Sequence, residues 1–255
     1  MRVVAALPAR RGAGDGHPDQ HRHQPGGKPI PVGRNPFRIA ITPDGKTVYV
    51  VNMVSGTVTP ITAATNTVGT PIPVGRRPYA IAITPDGSTA YVANYGSNTV
   101  TPITTATNRP GMPIPVGRGP SAIAITPDGK TAYVANLDSE TLTPISTATN
   151  TPGKPINVAP GPDTGPLPIA ITPDGKTAYV TQSTTITPIS IATNRPGKRI
   201  RVGDSPFAIA ITPDGTTAYV ANVNSGTVTP INTTTNTAGK PIKAGAGPID
   251  LAITP

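Results

Sequence analysis

The chain has no cysteine. That excludes disulfides, thiolate nucleophiles and cysteine-based metal sites. All three histidines, His17, His21 and His23, lie in the first 26 residues, so 27–255 offers no imidazole base. The only glutamate of that stretch is Glu140. Aromatic residues are 4% of the chain, so a core must be built from Ile, Val and Ala. Nothing approaches the roughly 18 consecutive apolar residues of a membrane-spanning helix. No stretch carries an apolar period of about 3.6 residues, so no helix is expected.

What the chain has in quantity is turn residues, 34 Pro and 27 Gly. Such a composition alone suggests disorder, but here the residues recur at fixed places. The phrase ITPDG-x-T-(A/V)-Y-V begins at Ile41, Ile83, Ile125, Ile171 and Ile211, and a sixth copy opens at Ile253. Its aspartates, Asp44, Asp86, Asp128, Asp174 and Asp214, are spaced by 42, 42, 46 and 40 residues. A unit of about 40–45 residues with several short strands is the size of a β-propeller blade.

The second copy shows how a unit divides. Strands are expected at 80–84, 89–93, 99–104 and 112–116. The first is joined to the second by a turn in which proline presets φ and Asp86-Gly87 completes the reversal. The same turn is expected at Gly45, Gly129, Gly175 and Gly215. Every third strand holds a proline: Pro60, Pro102, Pro144, Pro188 and Pro230. Proline cannot donate to a ladder, so a bulge is expected there, or else an outer strand that pairs only in part. Blades are expected at about 36–77, 78–119, 120–165, 166–205 and 206–247, with a partial one at 248–255.

The words TPDGKTAYVAN, SGTVTPI, TATN and GKPIPVG resemble the YVTN-type β-propeller repeat family, the surface-layer and lactonase-like bacterial propellers, over 27–255. The resemblance implies an all-β propeller of four-stranded antiparallel blades, exported or at the cell surface, although no signal peptide is visible. One position departs from it. The aspartate that the family often carries after the third strand is here Thr62, Thr104, Ser146, Ser190 or Asn232.

The first 26 residues stand outside the repeat. Read one nucleotide later, the codons for 15–24 can spell T-V-T-P-I-N-T-A-T-N, nearly the phrase at 227–236. We therefore expect the segment to be an out-of-frame reading of a preceding blade, and its histidines not to form a site. The chain is accordingly expected to be a fragment of a longer propeller, or an open arc able to self-associate through its edges.

Net charge is +9, but no nucleic-acid motif or stacking set accompanies it, so no nucleic-acid partner is expected. V-G-R loops place Arg34, Arg76 and Arg118, with Arg77 adjacent, beside loops carrying Asn94 and Asn136. These residues, with Asp163 in the longer loop 157–167, form the candidate binding face. Guanidinium groups there suit an anion. Asp138 and Glu140 share one loop and could touch a cation, but for two carboxylates with no further partner a solvated loop is the default reading. With no His or Cys to activate the many Ser and Thr, the expectation is a non-catalytic scaffold without cofactor or metal, binding a protein or anionic glycan. Two alternatives stand beside it. One is a lactonase-like or cofactor-binding enzyme whose active residues lie in missing blades. The other is the product of a decayed or misassembled gene.

Overall fold

The computed structural model describes residues 29–158 and 168–253. The expected frame-shifted segment 1–26, with its histidines, and Asp163 lie outside the described residues. In the first blade, β1 (Pro36–Ile41), β2 (Thr47–Asn52) and β3 (Thr57–Thr62) form an antiparallel meander. Two short strands, β4 (Thr67–Val68) and β5 (Ile72–Pro73), both pair with β3. They are the halves of one interrupted outer strand, so the blade is four-stranded. The pattern repeats behind inner strands Pro78–Ile83, Pro120–Ile125, Ile169–Ile171 and Pro206–Ile211. The five sheets pack in series through these inner strands as blades of a propeller, and they do not close into a ring. No α-helix occurs among the described residues. Residues 248–253, expected to open a sixth blade, take no strand pairing.

The third-strand proline is accommodated by the outer strand. The β2–β3 register runs unbroken from Thr47 opposite Thr62 to Asn52 opposite Thr57, with Pro60 facing Tyr49. Pro60 accepts a hydrogen bond on its carbonyl from the Gly69 amide at 2.8 Å. Its missing N–H faces the same side, into the gap between β4 and β5. A ladder that lacks a donor is simply not continued there. The expected third-strand bulge is thus absent, and the partly paired outer strand is what occurs. Bulges sit instead in the inner strands, at Phe37, Tyr79, Ser121 and Phe207.

The aspartate turns repeat in detail. Thr42 donates its hydroxyl to Asp44 Oδ1 at 2.6 Å, and the Lys46 amide donates to the same oxygen at 3.0 Å. The Gly45 amide closes on the Thr42 carbonyl at 2.8 Å with φ of 71°, a conformation that suits glycine. The donors to the carboxylate hold it below its ordinary pKa, in Asp44 as in Asp86, Asp128, Asp174 and Asp214.

The core lies between blades. The second-strand tyrosine of one blade shares a cluster with an alanine of the next: Tyr49 with Ala90, Tyr91 with Ala132, Tyr133 with Ala178, Tyr179 with Ala218. Small residues leave room for the ring. Its hydroxyl crosses the interface and donates to Oδ1 of Asn108, Asn150, Asn194 or Asn236 at 2.6–2.7 Å. A buried phenol needs such a partner. Burial also raises the pKa of these tyrosines, that of Tyr179 to about 12.

Candidate functional site

Two loops of neighbouring blades lie side by side on one face. One leads from an outer edge into the next inner strand, and the other joins the second and third strands. They are laced by backbone hydrogen bonds: Tyr95 to the Arg77 carbonyl at 3.0 Å, Gly96 to that of Arg76 at 2.9 Å, Asp138 to that of Arg118 at 3.1 Å. Serines complete the lacing, Ser55, Ser97 and Ser139 accepting from the amides of Arg34, Arg76 and Arg118. The backbone of each arginine is therefore fixed while its side chain is exposed. Arg77 adopts φ of 48°, unusual for a residue with a Cβ. It turns the chain into the following strand, just as Asn35 and Ser205 do.

The inner-strand bulges sit directly after these turns. A bulge re-aims a side chain, and two of the four bulged residues, Phe37 and Tyr79, pack as a tilted pair with ring centroids 4.5 Å apart. Tyr79 is 5.9 Å from Tyr95 of the adjacent loop. Guanidinium groups cap both ends: Arg38 lies 4.6 Å from the Phe37 ring and Arg77 5.2 Å from that of Tyr95. The Tyr95 hydroxyl then donates to Asp138 Oδ1 of the third blade at 2.9 Å. That hydrogen bond, partial burial and the carboxylate charge all raise the phenol's pKa, so it remains a donor at neutral pH. Arg118 Nη2 reaches the Asp138 carbonyl at 3.3 Å. Three blades thus bring aromatic rings, guanidinium groups and a carboxylate to one mouth. A groove of about 770 Å³, lined among others by Asn35, Met53, Ser55, Arg76 and Arg77, opens beside it.

The structure places the expected residues unequally. Arg34, Arg76, Arg77 and Arg118 are on this face and exposed. Asn94 and Asn136 are beneath it, fully buried. They donate to Thr101 and Thr143 at 2.9 Å and lie under Gly75 and Gly117, so they hold the loops rather than meet a ligand. Gly45, Gly87, Gly129, Gly175 and Gly215, with their aspartates, form the turns at the other end of the inner and second strands. Among the described residues no three of His, Cys, Asp and Glu gather as a metal site would require. Sequence reasoning missed Phe37, Arg38, Tyr79 and Tyr95, and gave Asp138 no role. The signal was there: of seven tyrosines and two phenylalanines, five tyrosines hold the repeat position. Of the four aromatics left over, three meet at this mouth.

The fold and this mouth define a β-propeller with an equipped loop face. The profile of the family described as "Lactonase, 7-bladed beta-propeller" matches residues 25–182, and the chain belongs to that family. Among solved structures it is similar to hydrazine synthase from Kuenenia stuttgartiensis, with a TM-score of 0.70 and 30% identity over 82% of this chain and 66% of that one. It is also similar in fold to a putative 6-phosphogluconolactonase from Bacteroides uniformis. There the TM-score is 0.70 and identity 18%, over 86% of this chain and 73% of that one. No curated protein matches the chain. The chain spans 66% and 73% of the length of these two structures.

Membership in a lactonase family overturns the expectation of a non-catalytic, protein- or glycan-binding scaffold and of a protein that is no enzyme. That expectation rested on the lack of His and Cys. A lactone is an ester, and its opening needs a base for water and a positive group for the oxyanion. A carboxylate and a guanidinium group meet both needs.

Proposed function

We propose that the protein is a lactonase-like propeller that hydrolyses a polyhydroxylated lactone at the mouth formed by its first three blades. The observation that carries this reading is the Arg77–Tyr95–Asp138 chain, which joins a cation, a proton donor and a carboxylate across blades. The exposed arginines Arg34, Arg76 and Arg118 favour a substrate with an anionic group, such as a phosphorylated sugar lactone, the kind of substrate named for the Bacteroides uniformis protein. Within the family, the repeats are read as the YVTN type, and an extracellular or cell-surface location accompanies that reading. The test is acid release at constant pH from gluconolactone, 6-phosphogluconolactone and an unsubstituted δ-lactone. Release above the spontaneous rate is expected, fastest with the phosphorylated sugar. No acceleration with any of the three would refute the proposal.

A further inference from the structure

Resting on that lactonase reading, we propose that Asp138 is the catalytic base that activates water, and that Tyr95 is the positioning residue that holds it. Five of the eight other acids among the described residues are committed elsewhere. The five turn aspartates spend an oxygen on a threonine two residues back, in their own turn. Among the described residues, Asp138 is the acid whose carboxylate is bound by a side chain of another blade.

Its surroundings fix it in place. Oδ1 takes the Tyr95 hydroxyl at 2.9 Å, whereas Oδ2 has no hydrogen bond among the described residues. Gly119 lies against the carboxylate so closely that a Cβ there would stand 2.6 Å from Asp138 Cγ and Oδ2. Gly119 makes with φ of 65° the turn that Asn35, Arg77 and Ser205 make elsewhere, so it is the closeness of the carboxylate that requires glycine here. The loop is pinned twice more, by the Asp138 amide to the Arg118 carbonyl and by Arg118 Nη2 to the Asp138 carbonyl. Tyr95 is itself held between Tyr79 and Arg77. One oxygen is thus oriented and the other is available to a water.

The step balances with these groups alone. Asp138 takes a proton from water as the water oxygen bonds to the lactone carbonyl carbon. The carbonyl electrons move onto oxygen, where a guanidinium group of the mouth, Arg77 or Arg118, stabilises the charge. The carbonyl reforms, the ring C–O bond breaks, and the proton on Asp138 passes to the departing ring oxygen. Lactone and water become one hydroxy acid.

The test uses the full chain and whichever lactone the wild type hydrolyses. Asp138→Asn is expected to lower kcat by about 10²-fold or more with KM nearly unchanged, and with an unaltered melting temperature because the side chain is exposed. Asp138→Gly is expected to recover activity when formate is added, which a merely structural aspartate would not show. Tyr95→Phe should lower kcat by a smaller factor, about tenfold, without changing KM. An Asp138→Asn variant as active as the wild type would overturn the assignment while leaving the lactonase reading intact. A wild type inactive on every lactone would remove both.

Discussion

Removing one hydroxyl from an inter-blade tyrosine should cost measurable stability, and the same removal from Tyr219 should not. Tyr91 is 1% exposed and donates to Asn150 Oδ1 of the next blade at 2.7 Å. Tyr219 holds the equivalent place in the fifth blade, but no blade follows it among the described residues, and its ring is half-buried. Tyr91→Phe keeps the ring packing and deletes the hydrogen bond. Asn150 sits in an exposed turn, so its oxygen regains water and the loss is the net value of the bond, about 1 kcal/mol. In a unit of this size that is a fall of about 2–4 °C in melting temperature. Tyr219→Phe should stay within about 0.5 kcal/mol of wild type. Tyr91→Ala would also empty the seat beside Ala132 and should cost about 3–5 kcal/mol. Thermal and urea unfolding followed by circular dichroism would read all three. Equal losses for the two phenylalanine variants would refute the claim that the tyrosine works as a latch between blades.

Other consequences follow from the same interfaces and turns. Ala132 shares a cluster with the Tyr91 ring and is fully buried, so Ala132→Ile should destabilise by about 1–3 kcal/mol through overpacking; a melt at or above wild type would contradict this. The four latch tyrosines have raised pKa values, Tyr179 to about 12, with burial as the first cause. The fold prefers the neutral phenol, so this contribution is complete below the unfolded value near 10 and is lost as pH rises through about 12. Unfolding measured from pH 9 to 12 should show that decline, and Tyr179→Phe should flatten part of it. The turn aspartates work in the opposite sense: their lowered values stabilise above the ordinary 3.8, and the benefit disappears as pH falls through the folded values.

Much of this was legible in the repeats because a repeat records what every blade needs. The Asp-Gly turn, the four strands and the arginine loops recur at fixed spacing, and each has a local cause that sequence shows directly. The place of the third-strand proline was not legible. Sequence shows that a donor is missing, and only the pairing shows which neighbour yields. Asn94 and Asn136 misled for a similar reason. Polar residues in a loop suggest a surface, yet these side chains are consumed by threonines of their own blade. The mouth was hidden because its residues are departures from the repeat. Phe37, Tyr79, Tyr95 and Asp138 are scattered over a hundred residues of sequence, and only the stacking of three blades brings them together.

The fourth blade shows how such departures are read once the geometry is known. Where the other second strands end in Asn52, Asn94, Asn136 or Asn222, this one ends in Gln182. Each of those asparagines lies against a glycine, Gly33, Gly75, Gly117 or Gly203, at a distance where a Cβ would collide: 2.6 Å to Asn94 Cγ in the case of Gly75. The sequence preceding the fourth blade has Ala159 in place of that glycine. The longer glutamine instead extends its Nε2 to the Val158 carbonyl at 2.8 Å, while Thr187 donates to its Oε1 at 3.3 Å. The asparagine copies leave Oδ1 buried without a partner, and the glutamine copy uses both ends of its amide. A substitution that looks like drift in the sequence therefore satisfies a buried amide that the other blades leave half-paired. Gln182→Asn should destabilise the fourth blade by about 1–3 kcal/mol, the cost of stranding a buried amide, and a neutral outcome in a urea melt would show that these two hydrogen bonds contribute nothing.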